Sequence, residues 1–283
     1  MTAVAGTWLS VILAPLLGGL VIGIDRKLTA RMQGRLGPPV IQPFYDFIKL
    51  WSKESTYTNG RQVFFIYTYF IWMLVSLIML VTGQDFLVFV FTLAVAEVAF
   101  VLAGFSTRSP YSHIGSTREL MQVLAAEPVL LFIAFALYLS NGTFLAASAF
   151  ASDYPLLLSH PLLFLAVLVV LTIKVRKSPF DISTATHAHQ EIVRGINTEF
   201  SGRYLAIVEL THWIETVIFL FIVFMFWANP WWIGAILAAG AYFLEIVVDN
   251  ISPRMSLGWM IKVAWTAGIT LSFANLVLNA ILL

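Results

Sequence analysis

The chain has 283 residues, 60% of them hydrophobic and only 11% charged, with 16 Lys and Arg against 15 Asp and Glu. Soluble domains are about a quarter charged, so this composition excludes an ordinary soluble enzyme, and a formal net charge of +1 gives no reason to expect a nucleic-acid partner. There is no cysteine, so the polypeptide itself can hold neither a thiolate-bound iron–sulfur cluster nor a disulfide.

From the N-terminus, apolar runs at 8–24, 63–81 and 86–104 are each long enough, at about 17 to 20 residues, to cross about 30 Å of hydrocarbon as helix. Further runs follow at 120–139, 161–173, 204–227, 231–248 and from 258 onward. The pattern predicts an all-α integral membrane protein of eight spans, a single polytopic domain over 1–283. The fifth run is short and is expected to begin near Pro155. The first run has no basic start and is followed by Asp25, Arg26 and Lys27, so it reads as a span and not as a cleavable signal.

All 16 Lys and Arg fall in the intervals on one side of an eight-span arrangement. The positive-inside rule makes those intervals cytoplasmic and places both termini outside the cell membrane. The two long cytoplasmic loops are 25–62 and 174–203. In the first, Gly- and Pro-rich turn material at 34–43 leads into PFYDFIKLWSKE. There Phe44, Phe47, Ile48 and Trp51 fall at helical spacing on one face, with Pro43 suited to the first turn. Asp46, Lys49 and Lys53 lie on other faces. This interfacial helix either docks a partner or covers the end of the bundle; spacing does not separate the two.

Ionisable groups in hydrocarbon are costly and tend to face a bundle interior or a wet cavity. Six acids are expected at membrane depth: Glu97, Glu127, Glu209, Glu215, Glu245 and Asp249, with Lys262 as the one basic counterpart at similar depth. A carboxylate isolated in an apolar medium is driven toward its neutral form and becomes a proton carrier near neutral pH. His212 lies three residues from both Glu209 and Glu215, and Glu245 lies four from Asp249, so helical turns bring these pairs onto shared faces. Pro128 follows Glu127 and is expected to kink the helix there. Each acid is open to a plainer reading as a helix–helix hydrogen bond. The set as a whole predicts a proton or cation path, with a pocket for a cationic solute as the rival.

KSPFDISTATHAHQEIVRGINTEFSG, residues 177–202, concentrates the polar material: Asp181, His187, His189, Glu191, Arg194 and Glu199. Glu191 lies four residues from His187 and three from Arg194, within reach over one helical turn. His187-x-His189 with Glu191 matches metal spacing only loosely, and no metal site is predicted. The expectation is a docking and proton-entry surface.

Within this stretch SPFDI, EIVRG and TEFSGRYLAIVEL resemble the loop and following helix of the membrane H subunit of respiratory complex I and its hydrogenase relatives. GRLGPPVIQPFYDFIKLWSKE resembles that family's first-loop signature, STRELMQVLAAEPVLL the approach to its buried glutamate, and SPRMSLGWMIKVAW its last loop. One departure stands out: ISTATHAHQ replaces an acid-bearing segment that shapes the quinone site in complex I. The form HAHQEIVRG is similar to the energy-converting membrane-bound [NiFe]-hydrogenases, including formate hydrogenlyase, and to the membrane-bound sulfane-sulfur reductase.

The resemblance implies a non-catalytic anchor and ion-coupling subunit of an oxidoreductase complex. Its partners would be a hydrogenase-like large subunit and iron–sulfur small subunits on the cytoplasmic face, with antiporter-like and small membrane subunits in the bilayer. No cofactor is expected in this chain; the partners would carry [4Fe-4S] clusters and a [NiFe] centre. Electrons would pass from ferredoxin to protons, evolving H2, coupled to proton or sodium movement. A sulfane-sulfur- or quinone-reducing relative and a stand-alone ion-coupled transporter are the alternatives. The resemblance puts Asp181, Glu191 and Glu199 in the interface and proton-entry region, and Glu127 and Glu209 at the start of a lateral acid chain. Arg35 and Arg254 fall in matching motifs, where they could pair with loop acids or a partner.

Overall fold

The computed structural model describes residues 2–57, 59–152, 154–183 and 194–282. Seven helices are long and apolar enough to cross a membrane: α1 (Thr2–Met32), α3 (Gly60–Val81), α4 (Phe86–Phe105), α5 (Pro110–Asn141), α9 (Gly202–Met225), α10 (Trp231–Ile251) and the C-terminal run Leu257–Asn279. Between α1 and α3 lies α2 (Gln42–Ser52); between α5 and α9 lie the short α6 (Ala147–Ala151) and α7 (Leu156–Ser159), then α8 (Pro161–Lys174) and a 3-10 turn, Gly195–Glu199. The C-terminal run is built of α11 (Leu257–Val263), a π-helical stretch Ala264–Ile269, and α12 (Thr270–Leu282).

Helix dominates for a physical reason. Lipid offers no hydrogen bonds, so a spanning backbone must satisfy its own amides and carbonyls. Helix hydroxyls follow the same rule: Thr211, Thr172 and Ser272 each donate to the carbonyl four residues back.

The fifth expected span departs from the sequence reading. Its helix, α8, has 14 residues, about 21 Å at 1.5 Å per residue, short of the ~30 Å hydrocarbon core. It does not extend back to Pro155 unbroken, because His160 (φ −129°, ψ 58°) interrupts the helix between α7 and α8. The His160 side chain offsets the break. Its Nδ1 accepts from Asn275 Nδ2 (2.6 Å) and Asn279 Nδ2 (2.9 Å), which leaves the proton on Nε2, 2.8 Å from Ser140 Oγ. Burial pushes the ring's pKa down to about 4, against a smaller opposing hydrogen bond to the Ala136 backbone. Pro128 lies inside α5 without ending it.

The chain divides into two compact units. Unit 1 comprises Met1–Val75, Leu93–Met121 and Asp181–Val217. Its core contains Ile66, Tyr69, Met73, Ala96, Phe100 and Ile196. Two glycines set its closest helix approach: a Cβ on Gly18 would run into the Trp213 carbonyl, and one on Gly23 into that of Val40. Unit 2 comprises Ser76–Thr92, Gln122–Phe180 and Ile218–Leu283, with Leu77, Phe86, Phe89, Leu130, Leu137 and Phe226 at its core. Leu9, Ile12, Leu16, Leu17 and Leu20 of α1 remain exposed, as lipid-facing side chains would.

Candidate functional site: two clusters of ionisable groups

In unit 1, α2 lies against α1 and carries Phe44 and Phe47 onto Trp213 of α9, with ring centroids 5.4 and 5.8 Å apart. Only half of the anticipated apolar face is used this way, since Ile48 and Trp51 are exposed. Asp46 accepts hydrogen bonds from Arg26 Nη1 (2.8 Å) and Gln42 Nε2 (2.9 Å). Partial burial pushes the Asp46 carboxyl up, but those hydrogen bonds and the Arg26 and Lys49 charges outweigh it and hold the group below its ordinary value.

Beside these residues is a cavity of about 250 Å³. Glu209 and Asp46 line it with four bases, Arg26, Lys49, Lys53 and Arg194, and Trp213 and Phe47 supply apolar wall. Arg194 is held in the left-handed region (φ 65°) at the entry to the 3-10 turn. Residues anticipated separately as docking groups (Asp46, Lys49, Arg194) and as a path group (Glu209) therefore share one cavity. Glu209 is half-buried and opens onto positive charge. It is not an acid isolated in hydrocarbon.

Further along α9, Glu215 is buried and lies 3.4 Å from the Tyr69 hydroxyl, which donates to it. Tyr69 stacks on Phe100 at 4.8 Å, and the His212 ring stands edge-on to Phe100 at 5.4 Å. The spacing of Glu209, His212 and Glu215 is thus realised on one side of α9, with an aromatic pair from α3 and α4 against it. Glu97 is buried in α4 and Glu119 in α5. Glu119 was missed because it falls in the polar opening of its helix; its place inside a continuous helical run was the available signal. Glu199, in the 3-10 turn, and Asp181 are half-buried, and the Glu199 carbonyl accepts from Gln62 Nε2 (3.1 Å). Arg35 bonds Gln33 on its own loop. His187, His189 and Glu191 lie outside the described residues.

In unit 2 the expected base is the wrong one. Lys262 is exposed, 5.5 Å from the centre of the Trp259 ring. The buried bases are Lys174 and Lys177, each 6% exposed. Both had been read as loop charges that set topology, because they stand at the end of a short apolar run. The Lys174 ammonium lies over Phe219 (5.8 Å) and acts electrostatically on Glu127, which is half-buried. Glu245 is 1% exposed, is hydrogen-bonded by the Thr172 side chain and feels the charges of Lys177 and Asp249. Asp249 Oδ1 accepts from the Ser178 amide at 2.9 Å. Among the described residues no three His, Asp or Glu side chains stand together as metal ligands.

Fold and site together define a polytopic α-helical membrane protein with ionisable groups gathered in its interior. The sequence profile of the NADH dehydrogenase family matches residues 6–280, and the chain belongs to that family. Hydrogenase-4 component C of Escherichia coli (strain K12) is 28% identical over 207 residues, 67% of this chain and 64% of that protein. The H-type membrane component of the NADH-quinone oxidoreductase of Dehalococcoides mccartyi (strain CBDB1) is 26% identical over 291 residues, 92% of this chain and 81% of that protein. A chain from the membrane-bound sulfane sulfur reductase, an archaeal respiratory membrane complex, superposes with a TM-score of 0.88, covering 99% of this chain and 100% of that one at 22% identity. That last likeness is one of fold.

Proposed function

We propose that this polypeptide is the membrane anchor and ion-coupling subunit of a respiratory redox complex. Partner proteins carry the iron–sulfur clusters and a [NiFe] centre, and this chain binds no redox group. Its basic intervals face the cytoplasm, with both termini on the opposite side of the cell membrane, and seat the soluble arm. Electron transfer in that arm, from ferredoxin to protons, changes the charge felt at the cytoplasmic loops. Glu209, Glu215, His212, Glu127 and Glu245 then hand on protons, and neighbouring antiporter-like subunits move H⁺ or Na⁺.

The observation that carries this reading is the unit 1 cavity. It puts the acid Glu209 among four bases supplied by α1, α2 and the 174–203 loop. A charge arriving at such a cavity acts on its acids through a low-dielectric wall, where electrostatic effects are several-fold larger than in water. Family membership supports the same reading, because the relatives named above are components of hydrogenase and quinone-oxidoreductase enzymes.

The test is to extract the complex mildly from its native membrane, identify the co-purifying subunits and assay nickel. Recovery with a hydrogenase-like large subunit and about stoichiometric nickel is the expected result. A redox arm without nickel would move the assignment to a sulfane-sulfur- or quinone-reducing complex. Recovery of this chain alone, with ion transport in liposomes, would replace the proposal with a transporter.

A further inference from the structure

The buried lysine Lys177 has no place in the path read from the acids alone. A lysine that merely marks a cytoplasmic loop keeps its ammonium in water. Lys177 does not: it is 6% exposed, and its Nζ lies 5.0 Å from the centre of the Tyr242 ring on α10.

The local backbone explains how it gets there. At the end of α8 the Arg176 amide donates to the Ile173 carbonyl (3.2 Å) and the Lys177 amide to that of Thr172 (3.4 Å). This is the paired hydrogen bonding of a Schellman cap, which needs a left-handed residue after the last helical one. Glycine ordinarily fills that position. Here it is Arg176, at φ 54°, a conformation that costs a non-glycine residue on the order of 1 kcal/mol. The turn folds the chain back so that three successive contacts reach α10 and the segment after it. Lys177 lies over Tyr242, the Ser178 amide donates to Asp249 Oδ1 (2.9 Å), and the Pro179 carbonyl accepts from the Met255 amide (2.9 Å).

Tyr242, Glu245 and Asp249 stand at i, i+3 and i+7, one face of α10. Glu245, between the other two, is 1% exposed, and its Oε2 has no hydrogen-bond partner among the described residues. The groups facing it are Asp249 and Tyr242 from its own helix, Thr172 and Lys174 from the last turn of α8, and Arg176 and Lys177 from the cap. Two acids and a lysine buried together cannot all be ionised without one net negative charge in a medium that penalises it heavily. A single proton shared between Glu245 and Asp249 leaves the cluster neutral.

We propose that Lys177 is a positioning residue which, held over α10 by the Arg176 turn, keeps one acid of the Glu245–Asp249 pair ionised and the other protonated. This rests on the ion-coupling role proposed above. A proton that leaves the pair must go onward along the path, and its replacement must arrive before the cluster is neutral again; Lys177 keeps its own proton throughout.

The test reads the resting protonation state of the intact complex in its membrane. Dicyclohexylcarbodiimide reacts with protonated carboxyls in apolar surroundings, and adduct on the Glu245 peptide is quantified by mass spectrometry. Lys177→Met removes the compensating charge and is expected to raise Glu245 labelling severalfold, while Lys177→Arg restores the wild-type yield. Asp249→Asn removes the competing negative charge, leaves an acceptor for the Ser178 amide, and is expected to lower the labelling; it decides the matter if Lys177→Met does not assemble. Labelling that is unchanged in Asp249→Asn, or that rises equally in Lys177→Met and Lys177→Arg, would overturn the proposal. Because the assay needs no turnover, its failure is distinguishable from failure of the ion-coupling role, which is read by ion movement.

Discussion

The two clusters solve the same problem, charge in an apolar protein, in opposite ways. In unit 1, Glu209 and Asp46 sit at a cavity of about 250 Å³ with bases that are only partly covered, so water and partner charges can reach them. In unit 2, Glu245 and Lys177 are withdrawn almost completely and are neutralised by each other and by Thr172, Ser178 and Tyr242. The first arrangement suits a group that must sense what happens outside the chain. The second suits one that must hold or release a proton only when a compensating charge moves, because an uncompensated charge there costs several kcal/mol. The contrast rests on geometry, since both clusters draw on the same residue types.

The comparison can be broken most severely at the glycines of unit 1. Gly18→Leu would force the α1 backbone away from the Trp213 carbonyl, a strain of about 3 kcal/mol or more. The expected outcome is loss of the chain from the purified complex, seen as its missing band on a gel of membranes that express the variant. Trp213→Ala removes the surface on which Phe44 and Phe47 rest and should cost about 3–5 kcal/mol. Its thermal transition should fall while carbodiimide labelling of Glu245 stays at the wild-type level. A change in that labelling would mean that the two clusters are not independent.

His160→Phe tests unit 2 by itself. It strands the Asn275 and Asn279 amides and the Ser140 hydroxyl, at about 1–3 kcal/mol for each buried group left unsatisfied. The wild-type histidine also has a pH signature. Its pKa is depressed to about 4 by burial, against about 6.5 in an unfolded chain. The folded form therefore binds fewer protons between those values, and its contribution is complete above about pH 6.5 and lost as pH falls toward 4. A thermal-stability profile of the wild type should decline over that window, and that component should be missing in His160→Phe.

The smallest effect is expected at Asp46. Its pair with Arg26 is about half exposed on both sides, so Asp46→Asn should cost less than about 1 kcal/mol and the difference should shrink in high salt. Because the Asp46 carboxyl is held below its ordinary value, the pair is present at neutral pH and is lost as the medium is acidified through that depressed value.

Much of this architecture was legible in the sequence, because hydropathy and helical period are local properties. The seven long helices, α2 and its contact through Phe44 and Phe47, and the shared face of Glu209, His212 and Glu215 all follow from spacing. Four motifs in order pointed to the family. What escaped depended on residues distant in sequence. The break at His160 is supported by Asn275 and Asn279, more than a hundred residues away. Lys174 and Lys177 looked like solvated loop charges because nothing near them in sequence signals that a left-handed turn at Arg176 folds them inward. Lys262 looked buried because it lies in an apolar run, yet its side of α11 is open.

The most direct test of the central claim, that this chain passes on ion movement and performs no redox chemistry, is the ratio of ions moved to electrons transferred. It would be measured in vesicles holding the complete complex with wild-type chain or with Glu209→Gln. The account predicts that electron transfer continues in the variant, measured with the ion gradient dissipated, while ion uptake per electron falls severalfold. An unchanged ratio at normal assembly would contradict it.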